Sequence, residues 1–262
     1  MMAFLNAQGY ERGMGRWSRR LASRFLEFVK IDDGARVLDV GCGTGSLTLA
    51  VAATIHRSNV VGIDASAALV EYARKQSEER VHFDVGDAQK LPYPDSSFDT
   101  TMALLVVNFL PDPQKGVGEM VRVTRPGGIV AAAVWDYGDG MTMLRTFWDA
   151  AVKLDPAASQ RHERNMPFSR QGELSSLWTK RGLKQVDETG LTVTLNFVSF
   201  DDYFTPFLGG VGPSGSYTAG LGPDRQKVFA ARLRSELLGE GPDRQFSMQA
   251  RAWAVKGIVA QE

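Results

Sequence analysis

Between residues 36 and 137 the chain alternates short apolar runs with amphipathic segments, and this rhythm constrains the fold more than any other feature. "RVLDV" (36–40), "NVVGID" (59–64), "VHFDVGDA" (81–88), "FDTTMALLVV" (98–107) and "GIVAAAVWDY" (128–137) read as strands. The fifth run is apolar enough to be buried on both faces. Between them the spacing predicts helices over 46–54, over 66–78 with Ser66 as N-cap, and over 112–124 with Asp112 as cap and Pro113 just inside. "PGG" at 126–128 reads as a turn. Strands alternating with helices predict parallel pairing, right-handed crossovers and an α/β doubly wound sheet. In such sheets ligands bind beyond the carboxyl ends of the strands, near the topological switch point.

Outside that stretch the pattern differs. Residues 15–30 predict an amphipathic helix in which Trp17, Leu21, Phe25 and Val29 share the buried face. Arg16, Arg20 and Arg24 run beside them as a solvated stripe. Beyond Tyr137 come a Met- and aromatic-rich helix at 141–154, a helix near 170–182 stopped by Gly182, and two strand-like runs at 183–197 and 246–259. The two runs suit an antiparallel pair at the sheet edge. Between them, 207–223 is glycine-rich and reads as a lid loop leading into a helix over 224–238. The expected organisation is one domain over 1–262. It has an N-terminal helical cover (1–35), a cofactor half (36–137), and a substrate-side half (138–262) with a lid insertion near 205–240.

The chain of 262 residues carries 30 basic and 30 acidic side chains. No net charge draws it to nucleic acid or an anionic membrane. Cys42 is the lone cysteine, so no internal disulfide or cysteine-built metal site forms. No apolar run is long enough for a membrane span, and the N-terminus lacks a signal-peptide pattern. These features imply a cytoplasmic protein.

Gly41, Gly43 and Gly45 follow the first strand as G-x-G-x-G, and Ser46 stands where a dinucleotide fingerprint would place its third glycine. Asp64 ends the second strand and suits a ribose, since one carboxylate accepts from both hydroxyls. Asp39 sits badly against a pyrophosphate but well near an ammonium. Asp87 can accept from an exocyclic amine such as that of adenine. An ammonium, a ribose and an adenine without phosphate describe S-adenosylmethionine.

"VLDVGCGTG", "VVGIDAS", "VGDAQKLPYPDSSFDTTMA" and "EMVRVTRPGGIV" occur in the order and spacing of a known family. From Val37 to Asp136 the chain resembles the class I S-adenosylmethionine-dependent methyltransferases, in particular the small-molecule branch that includes quinone-biosynthesis enzymes. The resemblance implies a Rossmann-like seven-stranded sheet whose last strand is antiparallel. It implies that Gly41, Cys42, Gly43 and Gly45 face the methionine part, Asp64 and Ala65 the ribose, and Asp87 and Ala88 the adenine. Ala103 and Leu104 would lie beside the cofactor, with Tyr10 folding over it. Many relatives carry a histidine after the fourth strand; here Asn108 stands in that segment.

Methyl transfer is an in-line displacement in which orientation does most of the work, so a general base is optional. Candidate catalytic groups are Tyr137 and Asp136 at the end of the fifth strand, His162 and Asn108. His56 and His82 read as structural. No cluster resembles a metal site. "NFLP" is not the Asn-Pro-Pro-aromatic motif of nucleic-acid amino-methyltransferases. The aromatic segment at 141–148, Trp178 and the 207–223 stretch suggest a partly apolar small-molecule acceptor. Two alternatives stand beside methyl transfer: a protein that binds S-adenosylmethionine or S-adenosylhomocysteine without turnover, and a nicotinamide-dependent oxidoreductase.

Overall fold

The computed structural model describes residues 7–55, 59–77, 81–210 and 212–261. His56 lies outside the described residues. Seven strands form one sheet in the order β3-β2-β1-β4-β5-β7-β6. They are β1 (Arg36–Val40), β2 (Asn59–Asp64), β3 (Val81–Val85), β4 (Phe98–Leu104), β5 (Thr124–Trp135), β6 (Lys184–Phe197) and β7 (Phe246–Ile258). The first five strands are joined by parallel pairs, whereas β7 inserts antiparallel between β5 and β6. The order reverses between β1 and β4, so the switch point lies at the end of β1.

The helices are α1 (Ala7–Tyr10), α2 (Arg16–Val29), α3 (Ser46–Thr54), α4 (Ala67–Arg74), α5 (Pro113–Val123), α6 (Thr142–Leu154), α7 (Glu173–Lys180), α8 (Phe200–Leu208), α9 (Gly212–Ala219) and α10 (Pro223–Leu238). Two cores flank the sheet. β5 shows why: Val130, Ala132 and Val134 face one core, and Ala131, Ala133 and Trp135 the other. Small alanines let helices approach both faces. On one side α5 and α7 bring Val117, Met120, Leu174 and Trp178 against the sheet, and the Trp178 indole donates to Val130 O at 2.9 Å. On the other, Trp17, Leu21, Phe25 and Val29 of α2 are all buried, as their spacing predicts. Burying each such side chain contributes about 1.5–3 kcal/mol.

Ser66 and Asp112 cap α4 and α5 as expected, accepting from Leu69 N and Lys115 N. Three expectations need correction. The arginine stripe of α2 is not merely solvated. Arg16 pairs with Asp202 at 2.8 Å, and Arg20 donates to Thr194 O, so two of the three tie α2 to the far half of the chain. Pro126–Gly128 does not precede the strand as a free turn. It is a bulge inside β5, with Gly127 at φ 74° and its N–H on Val259 O, because the chain continues past β7 there and supplies the partner.

The third correction concerns the 207–223 stretch, which is not an open loop. Its middle is α9, whose Ser214, Gly215, Tyr217 and Thr218 are buried. Tyr217 packs edge-on to Phe147 at 6.1 Å and beside Trp148 at 5.6 Å. Tertiary packing overrides the glycines' low helix propensity.

Candidate active site

At the carboxyl ends of β1, β2 and β4 lies a cavity of about 720 Å³, within the usual size of a ligand site. The chain enters it through the glycine turn. Gly41 follows β1 at φ 74°, and its N–H and that of Cys42 both donate to Ile63 O, at 2.7 and 3.0 Å. A side chain at Gly41 would stand 2.4 Å from Val106 Cγ2, so the turn and the segment after β4 are in contact only because residue 41 is glycine. Gly45, also left-handed, starts α3.

Three carboxylates line the cavity: Asp39, Asp64 and Asp87. Asp39 is 1% exposed. Its Oδ2 accepts from Thr48 N at 3.0 Å and from Thr48 Oγ1 at 2.6 Å. Its Oδ1 is buried without a partner. Burial outweighs the two hydrogen bonds and pushes its pKa up to about 7. Asp64 accepts from Gly43 N at 3.0 Å and from Ser66 N at 2.8 Å, which locks the glycine turn to the start of α4. Burial raises its pKa as well. Asp87 lies two residues beyond β3 and is exposed, with Oδ1 accepting from Gln89 N at 2.8 Å.

The N-terminal segment closes the near side. Tyr10 lines the cavity, its hydroxyl 2.9 Å from Ser18 Oγ. In the π-helical turn Glu11–Gly15, Glu11 accepts from Thr44 Oγ1 of the glycine turn at 2.5 Å. Gly15 makes room for this, since a Cβ there would sit 2.6 Å from the Glu11 carboxylate.

Of the residues singled out in the sequence, Tyr10, Asp39, Gly41, Cys42, Gly43, Asp64, Ala65, Asp87, Ala88, Leu104, Asn108 and Tyr137 share this cavity. Gly45 and Ala103 do not line it. Gly45 is behind the turn, where a Cβ would meet Phe83 at 3.3 Å, and Ala103 points into the opposite core. Cys42 is buried, which pushes its thiol up and leaves it a small, unreactive residue. Asp136 and His162 also lie outside the lining. Asp136 accepts from Arg251 Nη2 at 2.6 Å and caps Asp139 N at 3.0 Å, a structural anchor. His162 stacks on Trp148 and accepts from Arg164 N at 3.1 Å. His82 is exposed on β3.

The sequence did not reveal Met14, Val106, Phe109, Trp135 or Met166 as lining residues, whereas Pro213 belongs to the 207–223 stretch expected to cover the pocket. Met166 and Pro213 arrive from distant segments held by Glu163, which accepts from Trp148 Nε1 and from Ser214 N at 3.2 Å. Only the Ser66 cap offered a local signal that the start of α4 reaches the site. Among the described residues no group of His, Cys, Asp and Glu could hold a metal ion.

Residues 38–132 match the model of a family described as a methyltransferase domain. The chain is 38% identical over 117 residues to 27-O-demethylrifamycin SV methyltransferase of Amycolatopsis mediterranei, covering 43% of each. It is 32% identical over 167 residues to malonyl-[acyl-carrier protein] O-methyltransferase of Pectobacterium atrosepticum, covering 64% of this chain and 62% of that one. The matched part thus spans less than two thirds of either relative. Among solved structures, phosphoethanolamine N-methyltransferase 2 of Haemonchus contortus, in complex with S-adenosylhomocysteine, superposes with a TM-score of 0.59 at 16% identity. That match covers 97% of this chain and 57% of that one. This likeness shows the fold. Residues 38–132 thus match a methyltransferase domain, and the seven-stranded sheet has the Rossmann-like order of the class I S-adenosylmethionine-dependent methyltransferase fold.

Proposed function

We propose that this chain transfers the methyl group of S-adenosylmethionine to a partly apolar small-molecule acceptor, mainly by holding the acceptor in line. The observation that carries this is the unpartnered Oδ1 of Asp39, buried at the end of β1 in a cavity that also presents Asp64 and Asp87. A buried acceptor without a partner is costly, and an ammonium from the cofactor satisfies it. Gly41, Cys42 and Gly43 let the methionine part approach the backbone. Asp64 and Ala65 receive the ribose, Asp87 and Ala88 the adenine, and Tyr10 and Leu104 flank the cofactor.

When bound, S-adenosylmethionine supplies the methyl carbon and its sulfonium leaving group. The protein's part is orientation and exclusion of water, worth roughly 7–11 kcal/mol where alignment is good. The segment before α2 covers the cofactor side, and Met166 and Pro213 of the C-terminal half cover the acceptor side. This supports an organisation in which residues 1–35 and 138–262 enclose a cofactor half at 36–137. No described helix is long and apolar enough to cross a membrane, and the free thiol of Cys42 suits a reducing compartment, so we place the activity in the cytoplasm. A net charge of zero favours a small molecule over nucleic acid as substrate.

Calorimetric titration with S-adenosylmethionine, S-adenosylhomocysteine and NAD tests the assignment. Both sulfur ligands should bind, NAD should not, and Asp64→Ala should abolish binding. NAD binding, or indifference to Asp64→Ala, would overturn it. Binding of both sulfur ligands without turnover of any acceptor would reduce the protein to a cofactor-binding module.

A further inference from the structure

The cavity contains more unpartnered polar atoms than the cofactor assignment uses. Asn108, in the short helical turn after β4, is 6% exposed and lines the cavity. Both its Nδ2 and its Oδ1 are buried without a hydrogen-bond partner. It stands near Tyr137, whose phenol it slightly acidifies, but the approach does not meet hydrogen-bond geometry. Trp135, 1% exposed, also lines the cavity, and its indole N–H is likewise unpartnered. Buried polar atoms of this kind are rare in folded proteins unless something outside the chain satisfies them.

We propose that Asn108 and Trp135 form the acceptor subsite, and that the acceptor is a neutral hydroxyl compound with a second oxygen beside the hydroxyl, carried on an apolar body. The proposal rests on the cavity being the S-adenosylmethionine site. A primary amide with both atoms free complements an edge offering one donor and one acceptor, and an indole only donates. A hydroxyl donating to Asn108 Oδ1, with its neighbouring oxygen accepting from Asn108 Nδ2 or Trp135 Nε1, meets that requirement.

Charge narrows the class further. Asp39, Asp64 and Asp87 are the only charged side chains among the described lining residues; there is no Lys, Arg, His or Glu. An anionic acceptor would be buried without a counter-charge. With Asp39, Asp64 and Asp87 engaged by the cofactor, an ammonium acceptor would find no carboxylate left among the described lining residues. Burial first, then nearby Glu163, pushes the Tyr137 phenol up, so it keeps its proton at neutral pH and serves as a donor. Met14, Leu105, Phe109, Met166 and Pro213 supply apolar walls for the remainder of the molecule. In the reaction the hydroxyl oxygen forms the new O–C bond as the C–S bond breaks onto sulfur, and the hydroxyl proton leaves to water.

Three probes of equal size test this on the intact protein loaded with S-adenosylhomocysteine: 4-hexylcatechol, 4-hexylaniline and 4-hexylbenzoate. The catechol should bind best. Asn108→Leu and Asn108→Asp should each weaken it by about tenfold or more, the first by removing both polar partners and the second by removing the donor. Affinity for S-adenosylhomocysteine should stay within about twofold in both variants, which also reports that they fold. Tighter binding of the aniline or the benzoate, no binding of the catechol, or equal catechol binding by wild type and both variants would overturn the proposal. If S-adenosylhomocysteine fails to bind the wild-type protein, the cofactor assignment itself falls, and the subsite with it.

Discussion

Asp39 should make cofactor binding strongly pH-dependent. Its carboxyl is buried, with one oxygen satisfied by Thr48 and the other bare, and its pKa lies at about 7 instead of 3.8. Below that pH the side chain is neutral and offers an ammonium no charge. Binding must then expel a proton, so affinity for S-adenosylhomocysteine should fall by about tenfold per unit between roughly pH 7 and pH 5. The free protein should show the opposite trend in stability. A carboxyl whose folded pKa exceeds its unfolded value binds more protons when folded. Its contribution is therefore complete below the unfolded pKa near 3.8 and is lost as pH rises to about 7. A shift of about three units corresponds to an upper bound of about 4 kcal/mol. Asp39→Asn isolates this group from Asp64 and Glu163, whose pKa values burial also raises. The variant should bind weakly at every pH, and its stability should fall less from pH 4 to 7 than that of wild type. Calorimetric titration across pH 5.5 to 8.5 and urea melts across pH 4 to 7 read the two effects. A flat affinity profile in wild type, or an Asp39→Asn variant as tight as wild type at pH 8, would refute the reasoning.

Two further perturbations separate site from scaffold. Gly41→Ala places a methyl 2.4 Å from Val106 Cγ2 at a left-handed φ, and should cost about 1–3 kcal/mol and most of the cofactor affinity; adding Val106→Ala should restore part of both. Asp136→Ala should lower stability by about 1–3 kcal/mol, because Arg251 and Asp139 N lose their partner, while S-adenosylhomocysteine affinity stays within about twofold. Chemical melts and titration of the same samples check each.

Much of the cofactor half was legible because its information is local. The β1 run, the alternate glycines and the α3 start are contiguous, and the period-2 and period-3.6 patterns do not overlap. Asp39 and Asp64 needed only the rule that parallel strands place their carboxyl ends together. The edge pair β6 and β7 was legible as two strand-like runs of similar character. The misjudged residues have partners far away in sequence. Asp136 looked like a strand-end acid open to a ligand, but Arg251 on β7 neutralises it. Arg16 looked solvated, yet Asp202 begins a helix against it. The glycines and Pro213 of α9 suggested a loop, and only the surface made by Phe147, Trp148 and Phe229 holds that segment helical. Asn108 stood out only as the residue in the segment where many relatives carry a histidine. Its significance, two buried polar atoms without partners in a cavity, exists only once β4, β5 and the C-terminal half have come together.

A crystal structure of the protein grown with S-adenosylhomocysteine would test the central claim most directly. The account predicts the ligand at the ends of β1 and β2, its ammonium at about 2.8 Å from Asp39 Oδ1 and its ribose hydroxyls on Asp64. A ligand seated elsewhere, such as the groove between α5 and α7, or seated in the cavity with Asp39 Oδ1 still bare, would contradict it.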